Sequence, residues 1–156
     1  NKLVVFDIVI KVIILKTFYI FKINKNYHGI GTSNPNNLYT LFKSIYEYKE
    51  KNIIVAFDLF NEICLPINYD FFNKFMYDRL KNDELYTKFK NTHMYHNYFS
   101  GEESKMIIYK SHIRIKSNEL DNIFLYNLKD LTDLFVCDFI NEYYNYFSKN
   151  KNNKSK

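Results

Sequence analysis

Apolar positions fall along this chain in two kinds of pattern, short unbroken runs and longer stretches with helical spacing. Leu3-Val4-Val5-Phe6 is wholly apolar and rich in β-formers, which predicts a strand buried on both faces. Residues 9–21 fit strand or helix alike. Residues 24–37 are polar and hold Gly29, Gly31 and Pro35, which predicts a loop. Asn34-Pro35 then opens a helix, with Asn34 as cap and Pro35 at the first helical position, where its missing N–H is no loss. Leu38, Leu41, Phe42 and Ile45 follow at helical spacing, with Lys43, Glu47 and Glu50 on the other side. Ile53-Ile54-Val55-Ala56-Phe57 predicts a second buried strand. Strand, helix, strand makes a βαβ unit whose strands are parallel.

Residues 69–90 predict one or two helices, rich in Phe and Tyr and studded with Lys74, Arg79, Lys81, Lys88 and Lys90. Residues 91–105 are polar and turn-like around Ser100-Gly101. Residues 106–115 are strand-like, first over Met106-Ile107-Ile108-Tyr109 and again from position 112. A last helix is expected over residues 119–147, and the tail 148–156, without an apolar residue, is expected to be disordered. The expected class is α/β: an open, mostly parallel sheet flanked by helices, occupying residues 1–147 and incomplete at its C-terminal side.

Carboxylates change this picture from a fold to a chemistry. Asp7 and Asp58 directly follow the two apolar runs, and the carboxyl ends of parallel strands share the edge where open α/β sheets bind ligands. Glu119 and Asp121 follow the third strand region. Two like charges about 4 Å apart repel by roughly 4 kcal/mol at an effective dielectric of about 20, so gathering four carboxylates calls for protonation or a divalent cation. Hard oxygen ligands suit Mg²⁺ or Mn²⁺. The alternative for Glu119 and Asp121 is favourable placement at a helix N-terminus.

The 156 residues are 47% hydrophobic and 19% aromatic, enough apolar material for one domain's core. Abundant Asn and Lys, no Trp, and 15 each of Phe and Tyr point to an AT-rich coding genome, which lowers the weight of any single Asn or Lys. The chain starts at Asn1, which suggests a piece of something longer. A net charge of +5 is compatible with a nucleic-acid partner and equally with a solvated surface. Cys64 and Cys137 lack the spacing of a zinc or redox motif and are expected to be free thiols in a reducing compartment. Asp7, Lys11 and Lys16 interrupt the apolar opening, which argues against a membrane span or signal peptide. His93 and His96 are three apart, with no third nitrogen or sulfur ligand nearby; His28 and His112 carry no signal. Gly29-Ile30-Gly31 is too short to cradle phosphate.

In their order, these pieces resemble the N-terminal, resolvase-like half of the 5′–3′ exonucleases, the family of the nuclease domain of bacterial DNA polymerase I and, more distantly, of flap endonucleases, within the PIN-like superfamily. Lys2-Leu3-Val4-Val5-Phe6-Asp7 is similar to that family's first strand and metal-binding aspartate, and Lys16-Thr17-Phe18-Tyr19 to its Arg-x-Phe/Tyr-Tyr step. The segment from Gly31-Thr32 through Leu38-Tyr39, Phe42, Ser44 and Tyr48 is similar to its next helix. Ile54-Val55-Ala56-Phe57-Asp58 resembles its second acidic strand, residues 72–81 (FNKFMYDRLK) its basic arch, and Glu119-Leu120-Asp121-Asn122-Ile123 its Glu-Ala-Asp-Asp-Ile signature. Ile8 stands where the family has Gly, Lys16 where it has Arg, Asn73 where an arch Arg is expected, and Asn122 where it has the last acid. The Thr-Gly-Asp-x-Asp strand and the helix–hairpin–helix are absent; Asp138 is a poor substitute for the former.

The resemblance implies two Mg²⁺ ions (or Mn²⁺) roughly 4 Å apart hydrolysing DNA phosphodiesters in a nucleus or DNA-containing organelle. Asp7, Asp58, Glu119 and Asp121 would be ligands, and Lys16, Lys74, Arg79 and Lys81 would contact a flap or single-stranded 5′ end. The C-terminal half of the parent domain would complete the site. Three other readings remain open: a nuclease-derived module that binds nucleic acid without cutting it, a helical interaction or structural protein, and a PIN-type nuclease acting on RNA.

Overall fold

The structure, a computed structural model, describes residues 15–47 and 53–148. Its frame is one antiparallel sheet. In chain order the elements are β1 (Lys16–Ile23), a 3₁₀ turn (Lys25–Tyr27), α1 (His28–Ser33), α2 (Pro35–Glu47), α3 (Ile53–Ile63) and β2 (Cys64–Leu65). Then come α4 (Tyr69–Leu80), β3 (Tyr86–Phe89), β4 (Thr92–Asn97), β5 (Glu102–Ile108), β6 (Ile113–Ser117), α5 (Ile123–Leu128), β7 (Leu134–Asp138) and β8 (Tyr143–Phe147). The strands lie in the order β3-β4-β5-β6-β1-β7-β8, with the short β2 also paired to β1. Lys22 of β1 faces Leu134 of β7 on one edge and Leu65 of β2 on the other, so β2 extends the edge that β6 occupies farther back.

Every strand pairing among the described residues is antiparallel. This overturns the expected open, mostly parallel α/β sheet and, with it, the resemblance to the 5′–3′ exonuclease and PIN-like architecture, which needs a parallel sheet. Two misread segments explain the error. Residues 53–57 open helix α3, so Asp58 lies within a helix and not at the end of a strand. The expected helix over 119–147 is a six-residue helix followed by the β7–β8 hairpin. The first expected strand, residues 3–6, and Asp7 lie outside the described residues, as does the tail from 149 on.

The expected loop 24–37 holds the 3₁₀ turn and α1, the helix expected within 69–90 ends at Leu80 and gives way to β3, and the turn-like stretch 91–105 contains β4 and the start of β5, whereas α2 and the turn at Ser100-Gly101 form as their residues predict. α2 starts at Pro35 and buries Leu38 and Phe42. Ser100-Gly101 sits in the β4–β5 turn, where Gly101 takes a φ of 79° that a side chain would resist. Asparagines set two helix starts: Asn68 Oδ1 accepts from the Phe71 N–H at 3.1 Å, and the buried Asn122 accepts from the Leu125 N–H at 3.0 Å.

Two apolar layers clasp the sheet. On one face Phe18, Ile20, Met106, Ile108, Ile113, Ile115, Leu134 and Val136 meet Phe72 and Met76 of α4 and Phe124 and Leu128 of α5. On the other, Phe21, Ile23, Phe135 and Cys137 meet Leu38 and Phe42 of α2 and Ile63 of α3. Alternate residues of β1 and β7 therefore serve different cores, and all five residues of β7 are buried. Both cysteines are free and buried in the second layer, where burial pushes the Cys64 thiol up to about 12. No helix among the described residues is long and apolar enough to cross a membrane.

Candidate functional site

Of the acids singled out in the sequence, Asp7 lies outside the described residues, and Asp58 stands on a different part of the frame from Glu119 and Asp121. Asp58 is exposed on α3, whose last carbonyl, that of Ile63, accepts from the Asn24 N–H beyond the end of β1. Glu119 and Asp121, also exposed, follow β6, whose last residue Ser117 pairs with Lys16 at the start of β1. Asp121 lies 3.8 Å from the Lys129 ammonium. Among the described residues no three His, Cys, Asp or Glu side chains gather where they could share a metal ion. The segment 119–123 that resembled an acidic signature acts as a helix start. Asn122 occupies its last acidic position because its amide both caps α5 and donates to the Glu119 carbonyl at 3.2 Å.

The basic stretch expected to form an arch is helical only over α4, and the charges of Lys74, Arg79 and Lys81 on and just past that helix are already partnered. Lys74 bonds Asp78 one turn on, and this hydrogen bond holds the Asp78 carboxyl below its ordinary range. Lys81 lies 3.8 Å from the same carboxylate, and Arg79 pairs with Asp130 while its guanidinium lies 4.6 Å from the Phe75 ring centre. Lys16 reaches the Asn118 carbonyl at 3.5 Å. Helix α4 packs its Phe72 and Met76 into the sheet, so it stands against the body of the molecule.

His93 and His96 separate because they lie on a strand, where residues three apart point to opposite faces. His93 is fully buried between α4 and the sheet. The Tyr86 hydroxyl lies 2.7 Å from its Nδ1, and Asn73 Oδ1 lies 2.7 Å from its Nε2. An amide oxygen only accepts, so Nε2 carries the proton and Nδ1 accepts from Tyr86. Asn73 in turn donates to the Tyr69 carbonyl at 3.1 Å. Burial, with a smaller contribution from the Lys88 charge, lowers the His93 pKa to about 4 and keeps it neutral. The relay ties α4, β3 and β4 together with every polar atom satisfied. It presents no reactive group to solvent.

The exposed chemistry collects on the other side of the same strands. Helices α2 and α3 pack over β1 and β7, and the face of β3 to β6 that points their way carries no helix among the described residues. Strand register lays its side chains out in rows. One row runs Thr87, Met94, Lys105, Lys116, Thr17 across five strands; the next runs Phe89, Thr92, Ile107, Arg114, Tyr19. Phe89 is 74% exposed and Met94 49%. A groove of about 580 Å³ runs between Leu15, Leu85, Met94, Tyr98, Lys105 and Lys116.

Lys105 and Lys116 bring positive charge to this face, whose groove is also lined by Glu84 and Glu103. The two lysines are direct partners across β5 and β6, and like charges so placed repel. Among the described residues neither has a carboxylate partner; the nearby Glu103 lies 3.2 Å from His96 instead. Arg114 sits one row away, with its guanidinium 5.4 Å from the Tyr109 ring centre. The arrangement can hold an anion over the lysines while the apolar and aromatic side chains take flat or greasy groups beside it. Sequence reasoning missed it because Lys105 and Lys116 stand 11 positions apart and only the β5–β6 pairing joins them. The alternation of exposed and buried residues from 102 to 108 was the available signal.

Neither protein-family models nor curated proteins give a match to this chain.

Proposed function

We propose that this protein is a binding module for single-stranded nucleic acid, and that the open face of β3 to β6 is its binding surface. The observation that supports this best is the direct opposition of Lys105 and Lys116 beside Arg114, neither lysine having a carboxylate partner among the described residues, on a sheet face that also exposes Phe89 and Met94. Antiparallel sheets with an open aromatic and basic face suit single strands. Unstacked bases lie flat on rings while lysines follow the phosphates, and one base–aromatic contact contributes about 1–3 kcal/mol. A duplex, with its bases inside, could use only the charges. The reading involves no cleavage step: Asp58 lies on α3, while Glu119 and Asp121 share the connection between β6 and α5.

The test is fluorescence anisotropy with labelled oligo(dT) and oligo(U) of about twelve nucleotides, within the usual site size of single-strand binders. The double variant Lys105→Glu/Lys116→Glu should weaken binding at least tenfold. It should also flatten the dependence of log K on log salt by about 1.4, at roughly 0.7 per phosphate contact on a single strand. Phe89→Ala should cost roughly 5- to 160-fold, the equivalent of one stacked base. A duplex or an acidic polypeptide of equal charge bound as tightly as the single strand would overturn the reading, as would unchanged affinity in the double variant.

A further inference from the structure

A second concave surface lies on the far side of β3. This cleft of about 610 Å³ opens between α4 and the sheet edge and is lined by Tyr69, Asn73, Lys74, Tyr77, Lys88 and Lys90, with Asp70 as its one acid. Tyr69 and Tyr77 are 40% and 46% exposed, although both belong to the helix that packs against the core. Lys74 is bound to Asp78, but Lys88 and Lys90 have no carboxylate partner among the described residues. Alternation along β3 points Lys88 toward α4 while its neighbours Thr87 and Phe89 point to the open face.

Lys90 joins the two surfaces. It sits just past the end of β3 with a φ of 53°, in the tight turn to β4. It lines the cleft, yet its ammonium lies 5.4 Å from the ring centre of Phe89, which belongs to the open face. Positive charge and exposed rings thus stand on both sides of the β3 edge, Lys105 and Phe89 on the open face and Lys88 and Tyr77 in the cleft, with Lys90 between them. β3 is the outermost strand in the sheet order, so no further strand blocks this path among the described residues.

We propose that a bound single strand turns around the β3 edge, so that the cleft between α4 and β3 takes the nucleotides that extend beyond the open face. The inference rests on the open-face reading above. Lys88 and Lys90 hold the phosphates at the turn, and Tyr69 and Tyr77 offer rings to the bases that follow. Short strands then use the sheet alone, and long strands use both surfaces.

Length dependence tests it with the full 156-residue chain. Oligo(dT) of about four and about twelve nucleotides, spanning the usual range of site sizes, would be titrated against the cleft variants Lys88→Glu and Tyr77→Ala and the open-face variant Lys105→Glu/Lys116→Glu. Thermal melts would confirm that each variant is folded. The expected result is at least a tenfold loss for the longer strand and less than a twofold change for the shorter one in Lys88→Glu, with a smaller loss of the same selectivity in Tyr77→Ala. The open-face variant should weaken both lengths. Equal affinity of Lys88→Glu and the parent for the longer strand would overturn the wrapped path while leaving the open-face reading intact. Loss of both lengths in Lys88→Glu with none in the open-face variant would overturn the open-face reading, and the shared path with it.

Discussion

The two halves of this sheet are built on different terms. Strands β1 and β7 are covered on both faces, so successive residues serve opposite cores: Phe135 packs under α2 while Leu134 and Val136 face the layer of α4 and α5. Among the described residues, strands β3 to β6 are covered on one face only, and every second residue is left for solvent or for a partner. In the covered half, side-chain identity is fixed by packing. In the open half, only the inward set is fixed, and the outward set is free to carry Lys105, Lys116, Arg114, Phe89 and Met94. The proposed binding surface rests on this one-sided cover among the described residues.

The same substitution in each half gives the largest contrast. Phe135 is fully buried, with ring centres of Phe42, Tyr144 and Tyr146 within 5.6 to 6.2 Å. Phe135→Ala should destabilise by about 3–5 kcal/mol in urea unfolding, a large part of the roughly 5–15 kcal/mol available to a domain. If that variant does not fold, Phe135→Leu, expected to cost about 1.5 kcal/mol or less, gives the readable value. Phe89→Ala should stay within about 0.5 kcal/mol while weakening nucleic-acid binding. A large stability loss at Phe89 would mean that the open face is covered after all.

The contrast also explains what the sequence made legible. Helix α2 could be read because Asn34-Pro35 marks its start and its apolar stripe keeps helical spacing. The strand character of residues 106–108 and 113–115 was legible from apolar content, and the turn at Ser100-Gly101 from glycine. The unbroken runs failed. Ile53-Ile54-Val55-Ala56-Phe57 and Leu134-Phe135-Val136-Cys137 are both continuous apolar stretches, and periodicity cannot tell a doubly buried strand from a buried helix. The first was read as strand and is helix; the second was read as helix and is strand. With α3 assigned to the sheet, a βαβ unit and its parallel strands followed, and Asp58 moved to a rim that does not exist. Discounting asparagines as compositional drift hid Asn68 and Asn122 as caps and Asn73 as part of the His93 relay. The candidate surface was illegible for a further reason: it is made by cross-strand register, which no local pattern carries.

The core beneath the open half contains the buried His93 relay, and pH should expose it. His93 has a folded-state pKa of about 4 against about 6.5 in an unfolded chain, so between these values the unfolded state binds more protons. His93 should therefore give its full stabilisation above about pH 6.5 and lose it as pH falls toward 4, at no more than about 1.4 kcal/mol per pH unit. Urea midpoints across this range should show the slope, and His93→Gln, which keeps a donor and an acceptor but does not titrate, should flatten it. An unchanged slope in that variant would assign the acid sensitivity to other groups.

The smallest expected effect separates binding from folding most cleanly. Lys105 and Lys116 face each other, and among the described residues no carboxylate pairs with either to relieve their repulsion. Lys105→Glu replaces this contact with a cross-strand pair of opposite charge, worth about 0.2–1 kcal/mol relative to a neutral pair. The variant should be slightly more stable than the parent in urea, with the gain shrinking as salt is added. The same change should weaken single-strand binding several-fold, because it removes one phosphate contact and adds a repulsive charge beside the other. Stability rising while affinity falls marks a pair of charges kept for a ligand. Both falling together would mean that the lysine stems stabilise the face by packing against Met94 and its neighbours, and that the opposed charges are incidental to the fold.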